Sequence, residues 1–130
     1  MLGLLDKINK PIALSFFFLF ALSFYAQAQT PTKKDIRYSQ NFERSILDLW
    51  LAESKKPTPL VVNFHGGGFR IGDKGFFNRN PILKKYLPEG VSFASVNYPF
   101  VQQVDGNYAK ILEHCTESIH FLKKNAKKFN

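Results

Sequence analysis

LVVNFHGGGFRIGDK, residues 60–74, runs from an apolar stretch into one histidine and three consecutive glycines before an aromatic residue. Glycine packs nothing and costs backbone entropy, so three in a row serve the backbone itself. Leu60 to Phe64 has the short, uninterrupted apolar character of a strand covered on both faces, as in a mostly parallel sheet. The Gly66-Gly67-Gly68 turn that follows has unrestricted dihedrals and no Cβ atoms, so its amide N–H groups can come close to a bound atom. Two such donors beside a reacting carbonyl would stabilise a developing oxyanion, and losing one typically costs about 10²–10³ in rate. On composition alone, a tight structural turn without chemistry stands level with that reading. The phosphate-cradling spacings G-x-G-x-x-G and G-x-x-x-x-G-K-[ST] are absent.

Outward from this stretch the chain reads as an α/β order. Ile36 to Ser39 and Ser45 to Ala52 are expected as two antiparallel strands joined through Asn41 to Arg44. In the second strand Ile46, Asp48 and Trp50 face one way and Leu47, Leu49 and Leu51 the other. Glu53 to Pro59, with two prolines and two lysines, is a surface loop. After the glycines, Pro81 to Leu87 reads as a short helix, Val91 to Asn97 as a strand, and Asn107 to Lys128 as one amphipathic helix closed by lysines. Two antiparallel strands followed by β-α-β-α predict an α/β fold with an antiparallel edge. There is no internal repeat.

His65-Gly66-Gly67-Gly68-Phe69, followed by Gly72-Asp73 and preceded by the apolar strand, resembles the HGGG segment of α/β-hydrolase esterases and lipases, in particular the hormone-sensitive-lipase-like and carboxylesterase branches. "ILDLWLAE" is similar to that family's second strand and "VSFASVNYPF" to its fourth. The resemblance implies that the chain is the N-terminal part of an α/β-hydrolase sheet, stopping before the nucleophile strand. It implies Gly67 and Gly68 as oxyanion donors, Gly66 as the bend, His65 as a brace hydrogen-bonded to the loop, and Phe69 as a residue lining the acyl or alcohol pocket or simply packing. It also implies a serine nucleophile, an acid and a histidine base beyond Asn130, acting on a carboxylic ester through an acyl-enzyme without metal or organic cofactor. A Gly67→Pro exchange, which removes an amide donor, is expected to lower turnover.

The departures are as informative. Tyr98-Pro99-Phe100-Val101 stands where many relatives carry Tyr-Arg-Leu-Ala-Pro, and there is no G-x-S-x-G. Ser92, Ser95 and Ser118 lack the glycine frame and are read as structural. His114 and His120 lie on roughly opposite faces of one helix, so no metal-ligand set follows. Without a nucleophile, residues 29–130 alone are expected to be inactive, with a self-associating open sheet edge. The alternative is a non-catalytic exported binding module on the same scaffold.

Export is expected from the first 28 residues. Lys7 and Lys10 precede an apolar run from Ile12 to Tyr25, and Ala26-Gln27-Ala28 has the small-x-small form of a cleavage site. The run, about fourteen residues, is shorter than the ~20 a membrane-spanning helix needs, so no stable span is expected after signal removal. The protein is then placed in the periplasm or outside the cell, with residues 29–130 as part of the catalytic domain. The net charge of +8 sits largely in scattered lysine pairs without interleaved aromatics, which reads as solvated surface and not as a nucleic-acid site. Cys115 is the only cysteine, so no intrachain disulfide can form.

Overall fold

The computed structural model describes residues 28–129. The export signal expected over residues 1–28 lies outside them except for Ala28. Four strands, β1 (Lys33–Arg37), β2 (Ile46–Trp50), β3 (Leu60–Phe64) and β4 (Ser92–Val96), form one mixed sheet in the order β1-β2-β4-β3. β1 and β2 are antiparallel, β2 and β4 are antiparallel, and β3 runs parallel to β4. The helices are α1 (Pro81–Tyr86), α2 (Tyr108–Lys124) and α3 (Ala126–Phe129), with 3-10 segments at Lys74–Arg79 and Val101–Val104.

Period-two alternation sorts the core into two layers. Leu47 pairs with Val96 and Leu49 with Ala94, and this face packs with Tyr38 and with Leu122 of α2. Trp50 opposite Phe93 builds the other face against Phe77 and Leu83 of α1. All five residues of β4 are buried, as expected of a central strand.

Several boundaries differ from the sequence expectation. β1 begins at Lys33, ahead of the strand expected from Ile36, and carries a bulge between Lys33 and Ile36 where Asp35 adopts φ 54°. The single helix expected over Asn107 to Lys128 is two. Asn107 is its N-cap, its side chain accepting from Ala109 and Lys110 N–H. At the other end Asn125 is the C-cap of α2, its backbone N–H and its side-chain amide both donating to the Phe121 carbonyl, at 3.1 and 2.8 Å. β3 is not covered on both faces among the described residues. It occupies the sheet edge, with Leu60 39% and Val61 44% exposed.

Candidate active-site loop

Beyond the carboxyl end of β3 the chain turns through residues 66–72, the place where open α/β sheets bind ligands. Gly67, Gly68 and Gly72 have φ of 125°, 59° and 121°, and Phe69 follows at 60°. A Cβ on Gly67 would collide with the Ile71 carbonyl, and one on Gly72 would lie 2.6 Å from the Gly66 oxygen. Backbone conformation and space therefore both demand glycine at these two positions.

Each carbonyl at the start of the loop is held. The Tyr98 hydroxyl donates to the His65 carbonyl. His65 Nδ1 lies 2.8 Å from the Gly66 oxygen, and the Gly67 oxygen accepts from Arg70 and Ile71 N–H at 3.1 and 3.2 Å. No peptide here is cis, so in each unit the N–H points opposite to its carbonyl. Fixing the oxygens of His65, Gly66 and Gly67 thus fixes the directions of the N–H groups of Gly66, Gly67 and Gly68. Those three N–H groups have no acceptor among the described residues. A loop of this kind presents oriented donors that need no reorganisation to meet an anionic oxygen.

His65 is the pivot of the arrangement. It is buried, and its ring stacks on Tyr98 with centroids 4.4 Å apart. Nδ1 faces the Gly66 carbonyl, whereas Nε2 lies 3.2 Å from Nη2 of Arg44, which can only donate. The neutral ring with its proton on Nδ1 satisfies both contacts. Burial pushes the pKa below the ordinary histidine value; the Gly66 bond opposes this, the Arg44 charge adds to it, and Asp73 opposes it. With both nitrogens engaged, the ring braces the loop and has no free lone pair for proton transfer.

A second set of contacts anchors the far end of the loop. Asp73 accepts from Gly75 N–H at 2.7 Å and from the Asn97 side chain at 2.8 Å, while Asn97 Oδ1 accepts from Lys74 N–H at 2.7 Å. Burial raises the Asp73 pKa, but the Asn97 and Gly75 bonds and the neighbouring cations outweigh it and hold the carboxyl below the usual range. The Lys74 ammonium is buried between Asp48 and Asp35, and its pKa is raised because these carboxylates outweigh the cost of desolvation. The bulge in β1 aims Asp35 at it.

Phe69 is half-buried, edge-on to Tyr98 and Tyr108, and its carbonyl accepts from Val101 N–H at 2.8 Å. It also lines an open groove of about 460 Å³ between the loop and α2, together with Phe64, His65, Gly66, Leu112 and Cys115. Arg70 is exposed. Ser92, Ser95 and Ser118 are buried: Ser92 accepts from Ala52 N–H, Ser95 donates to the Lys74 carbonyl, and Ser118 donates to the Cys115 carbonyl. His114 pairs with Glu117 at 3.0 Å, and no group of three metal-ligating side chains comes together among the described residues. No helix among them is long and apolar enough to cross a membrane.

Gly67→Pro does not isolate an amide donor in this loop. Proline fixes φ near −65°, whereas Gly67 stands at 125°, so the exchange would rebuild the turn. Arg44, Lys74 and Asp48 escape a motif-based reading of the site. The signal for Asp48 is present, a lone carboxylate inside an otherwise apolar strand. For Arg44 there is none, since its partners are distant in sequence.

Residues 47–130 match the BD-FAE family model. Among solved structures, esterase B from Lactobacillus rhamnosis superposes with a TM-score of 0.64 at 18% identity, covering 92% of this chain and 39% of that one. A bifunctional GH43-CE protein from Bacteroides eggerthii gives 0.63 at 22% identity, covering 75% and 14%. A truncated carbohydrate esterase from gut microbiota gives 0.62 at 18% identity, covering 81% and 36%. At these identities the likeness speaks to the fold, and the chain spans well under half the length of each. No curated protein matches the chain.

Proposed function

Because the chain belongs to the BD-FAE family, an α/β-hydrolase-type esterase domain, we propose that it forms the front part of an exported serine esterase and supplies its oxyanion hole. The observation that carries this reading is the locking of three successive carbonyls, which leaves the Gly67 and Gly68 N–H groups oriented and without an acceptor among the described residues. In the proposed reaction a serine hydroxyl beyond Asn130 attacks the ester carbonyl as a histidine base, also beyond Asn130, takes its proton. The carbonyl π electrons move to oxygen, and Gly67 and Gly68 donate to that oxygen alongside the amide that follows the nucleophile. Collapse expels the alcohol, which receives the proton, and water then hydrolyses the acyl-enzyme.

Two measurements test this. The full-length protein should hydrolyse p-nitrophenyl acetate, and residues 29–130 alone should not. Replacing the Gly67 amide by an ester linkage, through incorporation of glycolic acid, removes the N–H and leaves φ free. The expected loss is about 10²–10³ in kcat. An unchanged kcat removes Gly67 from the oxyanion hole.

A further inference from the structure

We propose that Arg44, on the turn between β1 and β2, is a positioning residue of the oxyanion loop, acting through His65 and Gly72 on the direction of the Gly67 N–H. The inference rests on the esterase reading for its effect on turnover, but the hydrogen-bond chain behind it is independent of that reading.

One guanidinium joins three segments far apart in sequence. Nη2 donates to His65 Nε2 at 3.2 Å and to the Gly72 carbonyl at 2.9 Å, and Nε donates to the Tyr98 carbonyl at 3.0 Å. The guanidinium carbon sits 3.8 Å from the centre of the Phe100 ring. The turn beneath is itself fixed: Ser45 N–H donates to the Phe42 carbonyl at 3.0 Å, and Arg37 reaches the same carbonyl at 3.1 Å. Arg44 thus arrives with its fork already aimed.

The chemical consequence passes through the imidazole. Arginine has no acceptor, so a neutral His65 facing it must present a lone pair at Nε2 and carry its proton on Nδ1. That Nδ1–H is the donor holding the Gly66 carbonyl, and the Gly66 carbonyl sets the Gly67 N–H on the opposite side of the same planar unit. Without Arg44 the ring can place its proton on Nε2. Two lone pairs, on Nδ1 and on the Gly66 oxygen, would then face each other at 2.8 Å, and the peptide would turn away. A lysine brings one compact ammonium in place of a planar fork and cannot serve His65, Gly72 and Tyr98 together.

The test uses Arg44→Met and Arg44→Lys in the full-length protein, with p-nitrophenyl acetate kinetics and ¹⁵N shifts of the His65 ring. Arg44→Met should lower kcat by about 10–10² with KM nearly unchanged and shift His65 away from the Nδ1–H tautomer. Arg44→Lys should fall between wild type and Arg44→Met. An active enzyme whose Arg44→Met variant keeps its kcat, or keeps the Nδ1–H tautomer, overturns the proposal. Should Arg44→Met fail to fold, Arg44→Lys decides: a lower kcat at constant KM supports positioning and an unchanged kcat refutes it. If the wild-type protein shows no esterase activity, the functional reading falls and the ring spectrum alone judges the clamp. A wild-type His65 found as the Nε2–H tautomer overturns it outright.

Discussion

The Lys74 ammonium lies 2.9 Å from both carboxylate oxygens of Asp48, with the two side chains only 5% and 1% exposed. Asp35, coming from the β1 bulge, adds a third oxygen at 2.7 Å and donates its own N–H to Asp48 at 2.8 Å. This buried pair ties the edge hairpin to the segment that closes the glycine loop.

Removing one member strands the other. Lys74→Met leaves the Asp48 carboxylate buried and uncompensated, and should cost about 3–5 kcal/mol in urea denaturation. The double variant Asp48→Leu/Lys74→Met should be less destabilised than Lys74→Met alone. Additive losses would mean that the pair is not coupled.

The glycines of the loop should separate into two groups. Gly66→Ala meets no atom within 4 Å and should change stability little. Gly67→Ala and Gly72→Ala put a methyl group into the backbone and into the His65 ring, and each should cost about 2–3 kcal/mol. Thermal melting of the three variants checks the order. A Gly66→Ala variant as unstable as Gly72→Ala would contradict it.

Stability should fall with pH below the ordinary histidine range. His65 is held neutral in the fold with a lowered pKa, so between that value and about 6.5 the unfolded chain binds more protons than the folded one. Unfolding free energy therefore rises with pH across this window and declines as pH drops through it. Urea titrations from pH 7.5 to 5 should show the decline, and His65→Asn should flatten it.

Cys115 should resist alkylation. Burial pushes its thiol up to about 11, leaving little thiolate near neutrality. Iodoacetamide at pH 7.5 should label it slowly in buffer and rapidly in urea. Equal rates would place the thiol in water.

The order of elements, the antiparallel start and the two core faces were legible because period-two and helical spacing are local. Ile46 to Trp50 declares its faces residue by residue, and Leu47, Leu49 and Trp50 pack where that alternation sends them. The glycine run was legible as a sharp backbone turn for a similar reason, and the positive φ of Gly67, Gly68 and Gly72 shows why the turn needs glycine. What pattern could not carry was tertiary. Lys33 and Lys34 become strand because β2 offers them a ladder, and α2 ends at Asn125, whose backbone and side-chain N–H groups share one carbonyl. Arg44 meets His65 only once the hairpin has folded over the end of β3, so no window of the sequence contains both halves of that contact.

The position of β3 bears on synthesis in the cell. Domains fold from the N-terminal side while the ribosome adds about 5–20 residues per second. In the order β1-β2-β4-β3, the outermost strand has no mate on its far side among residues 28–129. Its adhesive flank, with Leu60 and Val61 half in water, stands open to any extended neighbour. A nascent chain of this length therefore carries an edge that a second extended chain can pair with, and self-association competes with folding at that stage.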